Sequence, residues 1–112
     1  MVAYALQIGL SEFEAEMKAA IGYHDDLLKR LKDETYAVGY LNACLKEGDE
    51  GAFLLAVRDV AQAHGGLAQI AKKAGLNREH LFRMLSKTGN PRLHSLRQLV
   101  EALGYRLVLE AV

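Results

Sequence analysis

Between Asn77 and Lys87 a short helical run would turn Arg78, Glu79, Arg83 and Lys87 outward, and those side chains suit one kind of chemistry. A guanidinium near the N-terminal end of such a helix can donate a bidentate pair to guanine, and a carboxylate there can accept from cytosine N4. The surrounding charge points the same way. Residues 66–100 carry seven basic side chains (Lys72, Lys73, Arg78, Arg83, Lys87, Arg92, Arg97) against one acid, Glu79, a local charge of +6. The chain as a whole is neutral, so the remaining 77 residues sum to −6. A basic block of this density is the electrostatic footprint of a phosphate-backbone binder. Charge alone fits a solvated basic face equally well, and the pattern beneath it has to decide.

Other chemistries find less support. None of the four histidines (His24, His64, His80, His94) pairs at the spacing of a helical zinc site, and no cysteine stands near one, so no metal is expected. His64 reads as a core or helix-end residue, and His80 as a helix-surface residue within reach of a phosphate backbone. Cys44, the one cysteine, reads as a small core residue rather than a nucleophile. His24, Asp25 and Asp26 form the one imidazole–acid cluster, which fits a helix start better than a catalytic pair. With no Gly-rich phosphate loop and no Ser-centred elbow, an enzyme is not expected, nor any cofactor. Phe82 could stack on a base, but beside Leu81 and Leu85 it reads as core or interface.

These side chains need elements to hold them. At 112 residues, 51% hydrophobic and 25% charged, the chain can bury a core as one domain, or one domain with an extension. No apolar run reaches the roughly 18 residues of a membrane helix, and the start lacks the features of a signal peptide. A cytoplasmic protein is the expectation. Residues 1–10 alternate large and small, which predicts a half-buried strand. Ser11 and Glu14 read as a capping box for a first helix, with Phe13, Met17, Ile21 and Leu28 as its stripe and a break near Gly22 or His24. A second helix starts at Asp33 and stops at Gly48, with Tyr36, Ala37, Tyr40, Leu41, Cys44 and Leu45 on one face. Asp49 opens a third, carrying Phe53, Val57, Val60, Ala61 and His64 inward as far as Gly65-Gly66. Short helices follow over residues 67–74 and from Asn77 to about Ser86, then a loop and a last helix over 92–103. That helix has Leu93, Leu96, Leu99, Val100 and Leu103 as its stripe and Gly104 as its cap. "YRLVLEAV" predicts a closing strand.

Within this order, residues 67–86 have the pattern of a helix-turn-helix. Ala71 is small where the first helix nears the second, and Gly75 suits a left-handed turn. Ile70, Ala74, Leu76, Leu81 and Leu85 are apolar where two helices would lock at a steep angle. "AxAxG", "QIAxxAGL", "REHLFRMLS", "GNPRL" and "LVEALG", in that order, resemble the addiction-module antidote proteins, a branch of the Cro/lambda-repressor-type helix-turn-helix regulators. The resemblance covers about residues 33–108. It implies a mainly α fold of five to six helices, a Cro/repressor-like helix-turn-helix domain with short N- and C-terminal β-strands. Residues 1–32 would be an extension of strand plus helix, and 33–112 the helix-turn-helix domain.

By the same resemblance the chain would be a DNA-binding antitoxin of a type II module, neutralising a small basic RelE/ParE-like toxin and repressing its own operon. The family's DNA face falls on Gln69, Lys73, Arg78, Glu79, Arg83 and the loop end at Asn90 and Arg92. Gln69 and Lys73 lie on the backbone-crossing helix, where phosphate contact is the expected role. Asn77 and Lys87, at the two ends of the reading helix, complete the expected set. Ala68 departs from the Ser or Thr usual there, leaving Gly66 as the cap, and residues 1–22 fall outside the resemblance. Two alternatives stay open: a stand-alone prophage-type repressor, and a toxin-binding module with vestigial DNA binding. Residues 1–48, with eight acids against five bases, offer a plausible face for a basic toxin. They are equally compatible with a solvated exterior. The two strand-like ends, "VAYALQI" and "YRLVLE", should pair within one protomer or between two. A homodimer built on the C-terminal strand would place half-sites roughly 34–36 Å apart on double-stranded DNA.

Overall fold

Asp33, Asp49 and Asn77 each stand just ahead of an apolar-periodic run. In the computed structural model, which describes residues 10–112, each of them caps the helix that follows. Among the described residues there are six helices: α1 (Leu10–Arg30), α2 (Glu34–Glu47), α3 (Glu50–Ala63), α4 (Leu67–Ala74), α5 (Arg78–Met84) and α6 (Leu93–Ala102). The Asp33 carboxylate accepts from the Thr35 N–H at 2.9 Å, and Asp49 accepts from Ala52 N–H at 3.1 Å. Each side chain thereby satisfies a backbone donor that has no partner inside its own helix. Gly48 closes α2 in the left-handed conformation, φ 78°, where a side chain would be strained.

The core lies around α3. Phe53, Leu54, Ala56, Val57, Val60 and Ala61 are all buried there, and α1, α2 and α4 pack against that helix. α4 in turn carries α5 and α6. Leu31, Ile70, Leu81, Leu85 and Leu99 are the largest fully buried side chains besides the valines of α3, so every segment from the end of α1 to α6 contributes to one cluster. A polar seam flanks it. The Tyr40 hydroxyl of α2 meets the Asp59 carboxylate of α3, and burial, with that carboxylate second, pushes the tyrosine up to about 12. Burial likewise raises Asp59, against the lowering influence of His24 and of the Tyr40 hydroxyl. Burial raises the Cys44 thiol too, which keeps it protonated and a poor nucleophile.

Gly51 has a steric role. A Cβ there would sit 2.5 Å from the Lys87 carbonyl oxygen, so the first turn of α3 touches the chain just after α5. Its backbone is helical, and close approach is what calls for glycine.

Four sequence expectations need correction. First, α1 runs unbroken through Gly22 and His24, because one glycine costs about 1 kcal/mol and the rest of a 21-residue helix outweighs it. Ser11 therefore lies inside the helix rather than ahead of it. Second, the stripes are narrower than drawn. Tyr36 and Leu45 at the edges of α2 are exposed, and Leu93 is 67% exposed because the first turn of α6 reaches past the core. Third, the helix from Asn77 stops at Met84, with Leu85 as its C-cap, short of Ser86. Fourth, residues 105–112 form no strand, and no strand occurs among the described residues. A strand needs a partner for its backbone groups, and the segment meets none among the described residues. The strand expected at the N-terminus lies outside the described residues.

Candidate nucleic-acid interface

The candidate site is built on the tight connection between α4 and α5. α4 buries Ile70, Ala71 and Ala74 and leaves Lys72 and Lys73 exposed in its last turn, where the helix dipole favours cations. Gly66 is its N-cap and has no side chain to bond the first turn, while Ala68 lies inside the helix rather than at the capping position. Gly75 ends α4 at φ 70°. Its N–H donates to the Lys72 carbonyl at 3.3 Å, and Leu76 N–H to the Ala71 carbonyl at 2.9 Å. That pair of bonds satisfies the carbonyls left over at the helix end and reverses the chain in two residues.

Asn77 then starts α5. Its Oδ1 accepts from Glu79 N–H at 2.8 Å and from His80 N–H at 3.3 Å. A helix of seven residues has few internal bonds of its own, so this cap matters more than in a long one. Asn77→Ala should cost about 1 kcal/mol of stability. Asn77→Asp should keep most of it, because an aspartate side chain can accept the same two bonds; thermal melts of the two variants make the comparison.

α5 buries Leu81 and Met84, and Leu85 follows them into the core. The outward flank is what remains. Arg78, Glu79, Phe82 and Arg83 line one shallow depression. Arg83 also borders a second, with His80, Asn90, Pro91, Arg92 and Ser95. Gly89 allows this: its Cα passes so close to the Met84 carbonyl that no Cβ would fit, and the loop folds back beside α5. Among the described residues no ion pair engages Arg78, Glu79, Arg83 or Arg92. Their donors and acceptor are open to an outside partner.

Of the residues expected from sequence, Arg78, Glu79, Arg83, Asn90 and Arg92 are brought together, and Asn77 holds the helix that carries three of them. Lys73 is exposed on α4 but borders neither depression. Gln69 turns its amide toward Gly65, and Lys87 lies against Gly51. Sequence reasoning missed Arg58, whose guanidinium sits over the Phe82 ring at 4.2 Å from its centroid. The two residues are far apart in the chain, and no spacing rule links them. Phe82 itself is 49% exposed, which removes the core half of the expectation for it and leaves the interface half, and helical geometry explains why. With Leu81 and Leu85 inward, position 82 is rotated about 100° away from Leu81. Ser95 was missed as well, since a lone serine on a helix carries no signal.

The comparisons with known proteins bear on this surface. The family described as "Probable addiction module antidote protein" matches residues 23–111. The chain belongs to this family. An antidote acts opposite a toxin, so the family assigns the chain an antitoxin role. A protein of Haemophilus influenzae described as uncharacterized is 34% identical to this antidote protein over 85 residues, 76% of this chain and 87% of its own length. No solved structure matches. The family match takes in all of α2–α6 and the second part of α1, so the candidate surface lies wholly within it. Among the described residues of the antidote protein, no helix is long and apolar enough to cross a membrane.

Proposed function

We propose that this antidote protein is a DNA-binding antitoxin that represses its own operon as a homodimer and neutralises a small basic RelE/ParE-like toxin. α4–turn–α5 acts as the helix-turn-helix. α5 enters the major groove with Arg78 and Glu79 at its leading end, and Arg83 follows one turn later. Lys73 and Gln69 on α4, with Asn90 and Arg92 in the loop, contact phosphates and fix the angle of entry. Residues 33–112 form the DNA-binding unit, residues 1–32 are an extension of it, and the protein acts in the cytoplasm.

The observation that carries this reading is the Asn77-capped helix, whose inward face is wholly apolar and whose outward face presents two unpaired guanidiniums and a carboxylate. The acidic balance of residues 1–48 supports a basic protein partner on the other side.

Selection of bound duplexes from a random pool by the purified chain, with a salt series on the winner, tests the DNA half. Enrichment of one two-fold site is the expected result. Lys73→Ala should weaken binding to every sequence alike and lower the salt slope by about one. No enrichment, with toxin neutralisation intact, would leave a toxin-binding module with vestigial DNA binding. Co-purification with the product of the adjacent reading frame tests the toxin half. A neighbouring frame that encodes no small basic protein points to a stand-alone prophage-type repressor.

A further inference from the structure

The chain leaves α6 through Gly104, at φ 94°, and is pinned at once. Tyr105 N–H donates to the Val100 carbonyl at 3.0 Å, and the Tyr105 ring stands edge-on to His64 at 82°, with its hydroxyl 3.4 Å from His64 Nε2. From there the anchoring stops. Among the described residues, 106–112 make no backbone hydrogen bond within the chain. Leu107 rests half in an apolar groove bordered by Val38, Leu41, Leu45, Phe53 and Val100, while Val108 is 78% and Leu109 100% exposed. An exposed segment with three consecutive apolar residues, Leu107, Val108 and Leu109, and with backbone donors and acceptors unpaired among the described residues is a template for another strand.

The order of residues says which strand. Arg106-Leu107-Val108-Leu109-Glu110 reads as opposite charges at equal distances from a central valine. We propose that this segment pairs antiparallel with its own copy across a two-fold axis at Val108. Arg106 then lies opposite Glu110 of the partner subunit, and Leu107 opposite Leu109 of the partner subunit, at both ends of the seam. The inference rests on the dimeric reading above and gives that dimer its register.

Charge complementarity selects this pairing over its neighbours. A slip of two residues in either direction removes both charge pairs. A slip of one turns the leucines to the wrong face. A parallel arrangement sets Arg106 beside its own copy and Glu110 beside its own. Neither residue has an ion pair within the described residues, so both are available. In the single chain Leu107 enters the groove and Leu109 is fully exposed; once the segment is paired as a strand, alternation would set Tyr105, Leu107 and Leu109 on one face. In the proposed register the partner subunit's Leu109 falls beside Leu107 and lengthens the cover over Val38 and Leu45, which are exposed in a single chain. A two-stranded ribbon alone is marginal in water, and seating on this groove supplies the third layer it needs.

Sedimentation of the full chain over a concentration series, without DNA, tests the register. The wild-type chain should be a dimer. Arg106→Glu and Glu110→Arg should each weaken it on the order of tenfold to a hundredfold, since two attractions become two repulsions. The double swap R106E/E110R should return to within about threefold of wild type. Mixed together, the two single variants should form the heterodimer in preference to either homodimer, because both charge pairs are then restored. Unchanged circular dichroism confirms that the exposed swaps leave the fold intact. A monomeric wild type overturns both the register and the dimeric reading. A wild-type dimer that ignores the single swaps, or that the double swap fails to restore, leaves the dimeric reading standing and overturns the seam. Loss of toxin capture in the swaps, with the free wild-type chain monomeric, would make the tail an edge for the toxin and likewise overturn the proposal.

Discussion

Leu81→Ala is expected to cost about 2–5 kcal/mol, out of the roughly 5–15 kcal/mol typical of a domain this size. The Leu81 side chain is fully buried, and it sits in the middle of a seven-residue helix. Such a helix has little stability of its own, so α5 keeps its place through the Asn77 cap and through Leu81, Met84 and Leu85 in the core. Truncation leaves a cavity between α5 and the rest of the core, and only partial collapse can offset it. Urea unfolding gives the number, and Leu81→Met, which nearly conserves volume, should lose less than about 1.5 kcal/mol. Sequence-specific DNA binding should fall along with stability in the alanine variant. A loss below about 1 kcal/mol would mean that α5 is not seated on the core as described.

The second large effect separates reading from folding. Arg78→Ala should weaken binding to the preferred duplex by about 1–3 kcal/mol and relax discrimination at one base position. Arg78 is exposed and has no ion pair among the described residues, so its removal should leave the thermal melt unchanged. That contrast is the useful part: Leu81→Ala should lower both stability and binding, Arg78→Ala binding alone. Glu79→Ala should act at a different base pair, because its carboxylate accepts where the guanidinium donates. Intact site preference after Arg78→Ala would move the reading role away from the N-terminal end of α5.

What the sequence reveals divides along a physical line. Helix starts at Asp33, Asp49 and Asn77, and helix ends at Gly48 and Gly75, are legible because caps and left-handed glycines act within a few residues. α4 is legible residue for residue, bounded by Gly66 and Gly75. The clustering of Arg78, Glu79 and Arg83 follows from helical period alone. The loop residues Asn90 and Arg92 join them only because Gly89 lets the chain fold back, and it was the family resemblance that pointed there. What depends on partners distant in the chain stays hidden. Arg58 meets Phe82 across two helices, Leu93 overshoots the core, and Lys87 turns to Gly51 rather than joining the arginines. The closing segment forms no strand in the single chain for the same reason. "YRLVLE" has the composition of a strand, but pairing belongs to two segments, and composition describes one.

Gly51 gives the fold a property that belongs to inheritance more than to energetics. It sits in the first turn of α3, remote from α5 in the chain, with the Lys87 carbonyl resting where a side chain would begin. Any larger residue at 51 must displace the Lys87 carbonyl, just past α5, or the first turn of α3, and so alter how α5 is seated. The direction in which Arg78 and Arg83 point is therefore written partly at a position that touches no ligand. Lineages of this protein could re-aim the helix without altering one residue on its outward face, and two relatives with identical α5 sequences need not present them at the same angle.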